Sequence, residues 1–365
     1  MNISTAQFGA VTSTCSILRH LAMLAMLALI AITVGCRCCC SRRGLQRQQC
    51  TGRCRCPRTV VSPGCLSMPM ALRRHPDIVR FTGAEAFHNI TSFDRRNCYA
   101  LHYAQLFANY GDTVEFQMTR QMIVLDSSNS KLLYGPEGIP QPRYLRNSRP
   151  HLEAFIAGVR DGASNEQDIV LAIMRRCRDL HRLDPIPERP WEQWVFGGTE
   201  EQLIERGERL CEVMGRLFVA LCEIEGIPAR RVAHIVGGHY AAEAYVDGHW
   251  FYLDPRFGVY FLKPDGTGAS VAELLDNPSI IDQQNDAVKA EIVEYSDWET
   301  RALSRCRDLY FTTVEMNGFE YYSLADAASY GYATRTYAEA DAAGLNIYNT
   351  LYVDHINKLK ASLKK

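Results

Sequence analysis

Residues 206–258 read RGERLCEVMGRLFVALCEIEGIPARRVAHIVGGHYAAEAYVDGHWFYLDPRFG, and the periodicity of this stretch decides the fold. Leu210, Met214, Leu217, Phe218 and Leu221 recur at helical spacing, which predicts a helix with one buried face. Gly226-Ile227-Pro228 ends it, because glycine caps helices and proline cannot continue one. Arg231–Val236, Tyr240–Val246 and His249–Leu253 read as strands. The last two are joined by Asp247-Gly248, a strong two-residue hairpin signal between apolar runs. A helix followed by an antiparallel sheet places this region in the α+β class.

The hairpin fixes a register. If Val246 pairs with His249, pairing numbers sum to 495, so Asp254 falls opposite Ala241 and His239 opposite Arg256. His239 and Asp254 are then diagonal neighbours on one face, roughly 7–8 Å apart at Cα, within reach of a side-chain hydrogen bond. Glu243, Trp250 and Tyr252 share that face; His249 points to the other. Cys211 opens the helix, where free N–H groups and the helix dipole favour a thiolate. A cysteine at a helix start with His and Asp on an adjoining sheet is a nucleophile, base and orienter set. That chemistry calls for no cofactor and no metal. On this reading His239→Ala is expected to be more damaging than Asp254→Asn. Cys222, three turns along the helix, reads as core, and Cys98, Cys177 and Cys306 read as structural.

The same residues resemble the core of the transglutaminase-like superfamily, which has a papain-like fold. The resemblance rests on Cys211 opening a helix, on Gly226-Ile-Pro-Ala-Arg230, on His239 through Trp250 as H-x-x-x-E-x-Y-V-x-G-x-W, and on Leu253-Asp-Pro255. It spans about 165–260. It implies acyl transfer from protein or peptide amides through a thioester on Cys211, with His239 as base and Asp254 orienting it. The thioester would be resolved by an amine or, as in a cysteine peptidase or amidase, by water. A non-catalytic peptide-binding or scaffold module is the reading from another class. The resemblance also implies an upstream side chain in the oxyanion hole, for which Trp191 and Trp194 are candidates, while Glu243 either supports the site or is a satisfied polar neighbour.

Outward from this core the chain changes character. Of 40 Lys and Arg, ten Arg lie in residues 1–76, which hold no Asp or Glu; the remainder has 30 basic against 41 acidic residues. An acidic body argues against nucleic acid as partner, and the protein or peptide substrate is what the resemblance implies. Nine of 14 cysteines fall in the first 65 residues. Leu21–Gly35 is an apolar run shorter than the roughly 20 residues a span needs, so it fits a signal peptide or anchor better. A Cys- and Arg-rich stretch, 36–58, follows. Residues 1–70 therefore read as a leader, either signal- or anchor-like through 17–40 or untranslated. The first puts the protein in the cell envelope or on a membrane, the second in the cytoplasm. Residues 71–163 read as a mixed region with a helix over Asn97–Tyr110, strand-like Thr113–Val124 and a sequon at Asn89. Residues 164–263 read as the catalytic core, opened by a capping box at Ser164–Gln167. Residues 264–365 read as mainly helical.

Overall fold

A computed structural model describes residues 66–74, 112–180, 193–207, 210–234, 239–292, 298–312, 317–336 and 338–339. All belong to one of the two units into which the chain divides, Thr59–Lys365. The apolar run Leu21–Gly35, the stretch 36–58, the Asn89 sequon, the expected helix Asn97–Tyr110, Cys98 and Trp191 lie outside the described residues. Among the described residues no helix is long and apolar enough to cross a membrane.

The elements that position the site are seven helices and eight strands. The helices are α1 (Met70–Arg74), α2 (Val114–Thr119), α3 (Ser130–Tyr134), α4 (Glu166–Asp179), α5 (Cys211–Ile224), α6 (Val271–Asp276) and α7 (Glu299–Tyr310), the last wound as a π-helix. The strands are β1 (Ile123–Val124), β2 (Val195–Gly197), β3 (Ala229–His234), β4 (His239–Val246), β5 (His249–Asp254), β6 (Val259–Tyr260), β7 (Asn317–Glu320) and β8 (Thr334–Thr336). Six of the strands form one antiparallel sheet ordered β1-β7-β3-β4-β5-β6, and β2 pairs with β8. This is the α+β class expected, with the cysteine-bearing helix packed on an antiparallel sheet.

The sheet is covered on both faces, and the period-2 alternation of β4 and β5 explains how. Ala242, Ala244, Val246, Phe251 and Leu253 join α4 and α5 in one core. Ala241 and Tyr252 join Val271 and Leu274 of α6 and Leu309 and Tyr310 of α7 in the other. The Asp247-Gly248 turn has positive φ at both residues, 49° and 88°, as a type I′ hairpin requires. Its Asp247 carboxylate accepts from the backbone N–H groups of Glu166 and Gln167, pinning the hairpin tip to the start of α4.

Several expectations need correction. Thr113–Val124 is a helix followed by a two-residue strand. Helical spacing puts Glu115 and Thr119 on one face, where the Glu115 carboxylate pairs with Arg216 and Arg231 donates to the Thr119 hydroxyl and the Glu115 carbonyl; those buried partners override the β-preference of the local residues. The cap of α4 is Asn165, accepting from the Asp168 N–H, one residue later than the expected box. The expected divisions at 163 and 263 run through one sheet. β1 comes from the N-terminal region, and β7 from the C-terminal region pairs along β3, satisfying backbone groups that would otherwise form an open edge. The expected leader also overlaps the body. Met68 is buried in the second core, and the Ser67 hydroxyl bonds Tyr330 at 2.6 Å and Asp326 at 3.0 Å.

Candidate functional site

The β4–β5 register is the one the hairpin dictates, from Val246↔His249 to Ala242↔Leu253. It stops there. β5 ends at Asp254, whose other edge pairs with Val259 of β6, so residues 239–241 extend past the last β4–β5 pair. The candidate site sits at this end of the two strands.

His239 and Asp254 come together. His239 Nε2 lies 2.6 Å from Asp254 Oδ2. Asp254 Oδ1 accepts from the backbone N–H groups of Arg256 and Phe257 at 3.0 and 3.2 Å, closing a turn through Pro255. Burial raises the affinity of Asp254 for a proton, but His239 and the two N–H groups outweigh it and hold the carboxyl below its usual range. An ionised Asp254 accepts from Nε2–H, which leaves Nδ1 as the basic nitrogen of His239. Burial lowers the pKa of His239, opposed by Asp254, so the imidazole rests neutral.

Cys211 is the first residue of α5, as expected, and is 6% exposed. The backbone N–H of Tyr240, the residue after His239, lies on the thiol's side and favours its thiolate. Gly215, one turn on, permits this approach: a Cβ there would meet Ala241 O at 3.1 Å and Arg231 Cγ at 3.2 Å. The thiolate expectation is corrected. Burial, aided by the Glu212 carboxylate, pushes the Cys211 thiol up to about 12, against Arg256 and the Tyr240 N–H, which pull it down. The Sγ–H donates to Glu212 Oε2 at 3.3 Å, and among the described residues no hydrogen bond joins Cys211 to His239. Desolvation exceeds the helix-start effect because α5 begins inside the protein rather than at its surface.

The remaining named residues sort by their partners. Glu243 is fully buried and saturated, accepting from Arg230 at 2.7 and 2.9 Å, Tyr134 at 3.0 Å and the Val271 N–H at 2.7 Å. It ties α3, β3 and α6 together, the satisfied-polar reading. Trp194 is half-buried and packs against the core under α4 and α5. His234, the cross-strand partner of His239, has both ring nitrogens engaged, Nδ1 by Asn317 at 2.8 Å and Nε2 by Tyr252 at 3.0 Å. His249 sits on the face away from Asp254. Cys177, Cys222 and Cys306 are buried free thiols, as expected of core residues. Among the described residues no group of three or more His, Cys, Asp and Glu is arranged to hold a metal.

Sequence reasoning missed the aromatic bracket of His239. Phe257 stacks on its ring at 5.3 Å and Tyr310 at 5.6 Å. Phe257 was legible in principle, three residues beyond Asp254; Tyr310 comes from α7 across the second core and leaves no local signal. No curated protein and no solved structure matches the chain. Residues 153–255, which hold Cys211, His239 and Asp254 together with the helix and hairpin that carry them, match the family model of the transglutaminase-like superfamily.

Proposed function

We propose that this protein is a thiol-dependent acyltransferase or hydrolase acting on protein or peptide amides, with Cys211 as nucleophile, His239 as base and Asp254 orienting the base. The observation that carries the reading is the His239–Asp254 bond through Nε2, which reserves Nδ1 for the proton of an attacking thiol. Cys211 attacks the amide carbonyl, its proton passes to Nδ1, and His239 returns that proton to the leaving amine. The thioester is then opened by an amine, which completes a transamidation, or by water, which completes a hydrolysis. The Tyr240 N–H beside Sγ supports the thiolate as it forms. Resting neutral, the pair would separate charge only when substrate excludes water and donors are in place.

A second reading has its own observation. A thiol pushed up to about 12 and donating to Glu212 resembles an inert core cysteine, as a non-catalytic peptide-binding module would carry. One experiment separates them. A thioester-trapping probe should mark wild type at Cys211 and leave Cys211→Ala and His239→Ala unmarked, and a labelled amine offered with a glutamine peptide should enter that peptide only with wild type. Equal marking of Cys222 and Cys211, or none at Cys211, supports the binding module.

A further inference from the structure

Cys211 and Glu212 are consecutive residues in the first turn of α5, and the reaction described above uses only the first. Leu210, the cap residue ahead of them, has no side-chain acceptor to offer the N–H groups of that turn. Glu212 is the acidic residue of the turn, and its carboxylate takes its own backbone N–H. A negative charge is therefore already seated where the helix start favours one. A thiolate on Cys211 would be a second anion at the same place.

The contact between the two side chains is direct. The Sγ–H donates to Glu212 Oε2 at 3.3 Å, and a thiol has one proton to give. While Glu212 holds it, His239 Nδ1 cannot accept it. The charged groups facing the pair are Arg231 of β3, Glu115 of α2 and, beyond β5, Arg256. Arg231 is committed elsewhere: its guanidinium pairs with Glu320 and donates to the backbone carbonyls of Glu212 and Glu115. Glu115 repels the Glu212 carboxylate and pairs with Arg216. Among the described residues no cation forms an ion pair with Glu212, and the Cys211 thiol is the side chain that donates to it. Burial penalises the Glu212 carboxylate, so it gains from each donor it holds.

We propose that Glu212 is a positioning residue that holds the Cys211 proton in the resting protein, and that acyl transfer begins when the Sγ–H turns from Glu212 Oε2 to His239 Nδ1. The step is a rotation about the Cys211 Cα–Cβ bond. No covalent bond changes in it, and the proton leaves sulfur only afterwards, to Nδ1, as sulfur bonds to the amide carbonyl. Glu212 restrains the nucleophile rather than activating it. The inference rests on Cys211 being the reactive thiol, and it makes the contact with Glu212 a resting state of that thiol instead of a mark of inertness.

The test alkylates the full chain with iodoacetamide from pH 7 to 10 and reads Cys211 and Cys222 by peptide mapping, in wild type, Glu212→Gln and Glu212→Ala. Glutamine keeps the size and an acceptor oxygen but removes the charge. Alanine removes both, and keeps the test decisive if the first variant misfolds. Losing one neighbouring negative charge should lower the apparent pKa of Cys211 by about one unit or more. One unit gives about tenfold more thiolate at a pH below the pKa, each thiolate about threefold less nucleophilic, so labelling at pH 8 should rise about three- to fourfold. Cys222, on the same helix, should keep its wild-type rate, and the rising limb of kcat/KM against pH should move down with the thiol. Cys211 labelled alike in all three proteins overturns the restraint and leaves the acyl-transfer reading standing. Slower labelling in the variants also overturns it, since Glu212 would then assist the thiolate. An equal rise at Cys222 overturns it as a loosening of the helix. Failure of Cys211 to label in any of the three overturns the acyl-transfer reading and the restraint with it.

Discussion

Asp254 divides its two oxygens: Oδ1 closes a turn onto the Arg256 and Phe257 N–H groups, and Oδ2 alone faces His239 Nε2, at 2.6 Å. That division makes Asp254→Asn costly, even where the sequence ranks it below His239→Ala. An asparagine keeps its oxygen on the two backbone donors, so its NH2 faces Nε2. The proton of His239 then moves to Nδ1, the nitrogen that accepts from the thiol in the proposed reaction. Flipping the amide would set NH2 against two N–H groups. Asp254→Asn should therefore lower kcat by about 10³–10⁴, as a wrong tautomer does, with stability little changed. A loss under about tenfold would show that the amide flips and that Oδ1 is not locked.

Glu243 is held by the fold and not by the reaction. Glu243→Gln leaves Arg230 fully buried with its charge unmatched, and breaking such a pair costs about 3–5 kcal/mol. Chemical denaturation should show that loss, while the folded variant below its melting temperature keeps the wild-type rate of amine incorporation. A rate loss without a stability loss would return Glu243 to the site.

Sequence made the hairpin and the cysteine helix legible because each rests on local rules. Asp247-Gly248 sets a register to the residue, and α5 ends at Ile224, two residues before the Gly226 expected to stop it. What stayed hidden depends on contacts distant in sequence. That residues 239–241 run past the last β4–β5 pair follows from β5 ending at Asp254, where the chain turns through Pro255. The height of the Cys211 thiol pKa follows from burial by the whole body. Tyr310 of α7 reaches His239 across a core to which residues 298–311 contribute. Strand β7 was unreadable because NGFE has no strand-like alternation; β3 and β1 impose its pairing.

Stability should fall on acidification through a window set by His234. Burial, and then His239 beside it, lower its pKa from the ordinary value near 6.5 to about 3. Between those values the unfolded chain binds a proton that the folded chain refuses, so stability rises with pH across the window and levels off above about 6.5. The slope from one proton is about 1.4 kcal/mol per pH unit. His239, also lowered, adds to it. Urea midpoints measured from pH 4 to 8 should show this slope in wild type and one proton less of it in His234→Gln. An identical slope in the variant would mean that His234 takes up its proton without unfolding.

The start of the ordered body lies before Met70. Met68 is buried and Ser67 is bonded to Tyr330 and Asp326. A chain shortened to begin at Met70 should lose about 2–5 kcal/mol, the range for removing a buried methionine side chain, whereas one beginning at Thr59 keeps both residues. Thermal melts of the two shortened chains check this; equal melting temperatures would place residues 67 and 68 outside the cooperative unit.

Gly215 should couple packing to chemistry more sharply than any residue in the site. It faces Ala241 on β4 one turn after Cys211, and a methyl group there would stand 3.1 Å from the Ala241 carbonyl oxygen and 3.2–3.3 Å from the Arg231 side chain. Arg231 cannot easily give way, since it is fully buried and bonded to Glu320, Glu212 O and Glu115 O. The helix must shift instead, carrying Sγ away from the Tyr240 N–H. In stability, Gly215→Ala gains about 1 kcal/mol of helix propensity, which offsets much of the strain, so its melting temperature should stay close to wild type. In rate the two effects do not cancel, because a misplacement on the order of 1 Å costs about 10²-fold. The expected signature is a folded protein with normal near-ultraviolet circular dichroism and a kcat reduced by one to two orders of magnitude. Gly215→Ala with a wild-type kcat would show that the close approach of α5 to β4 does not set the position of Cys211.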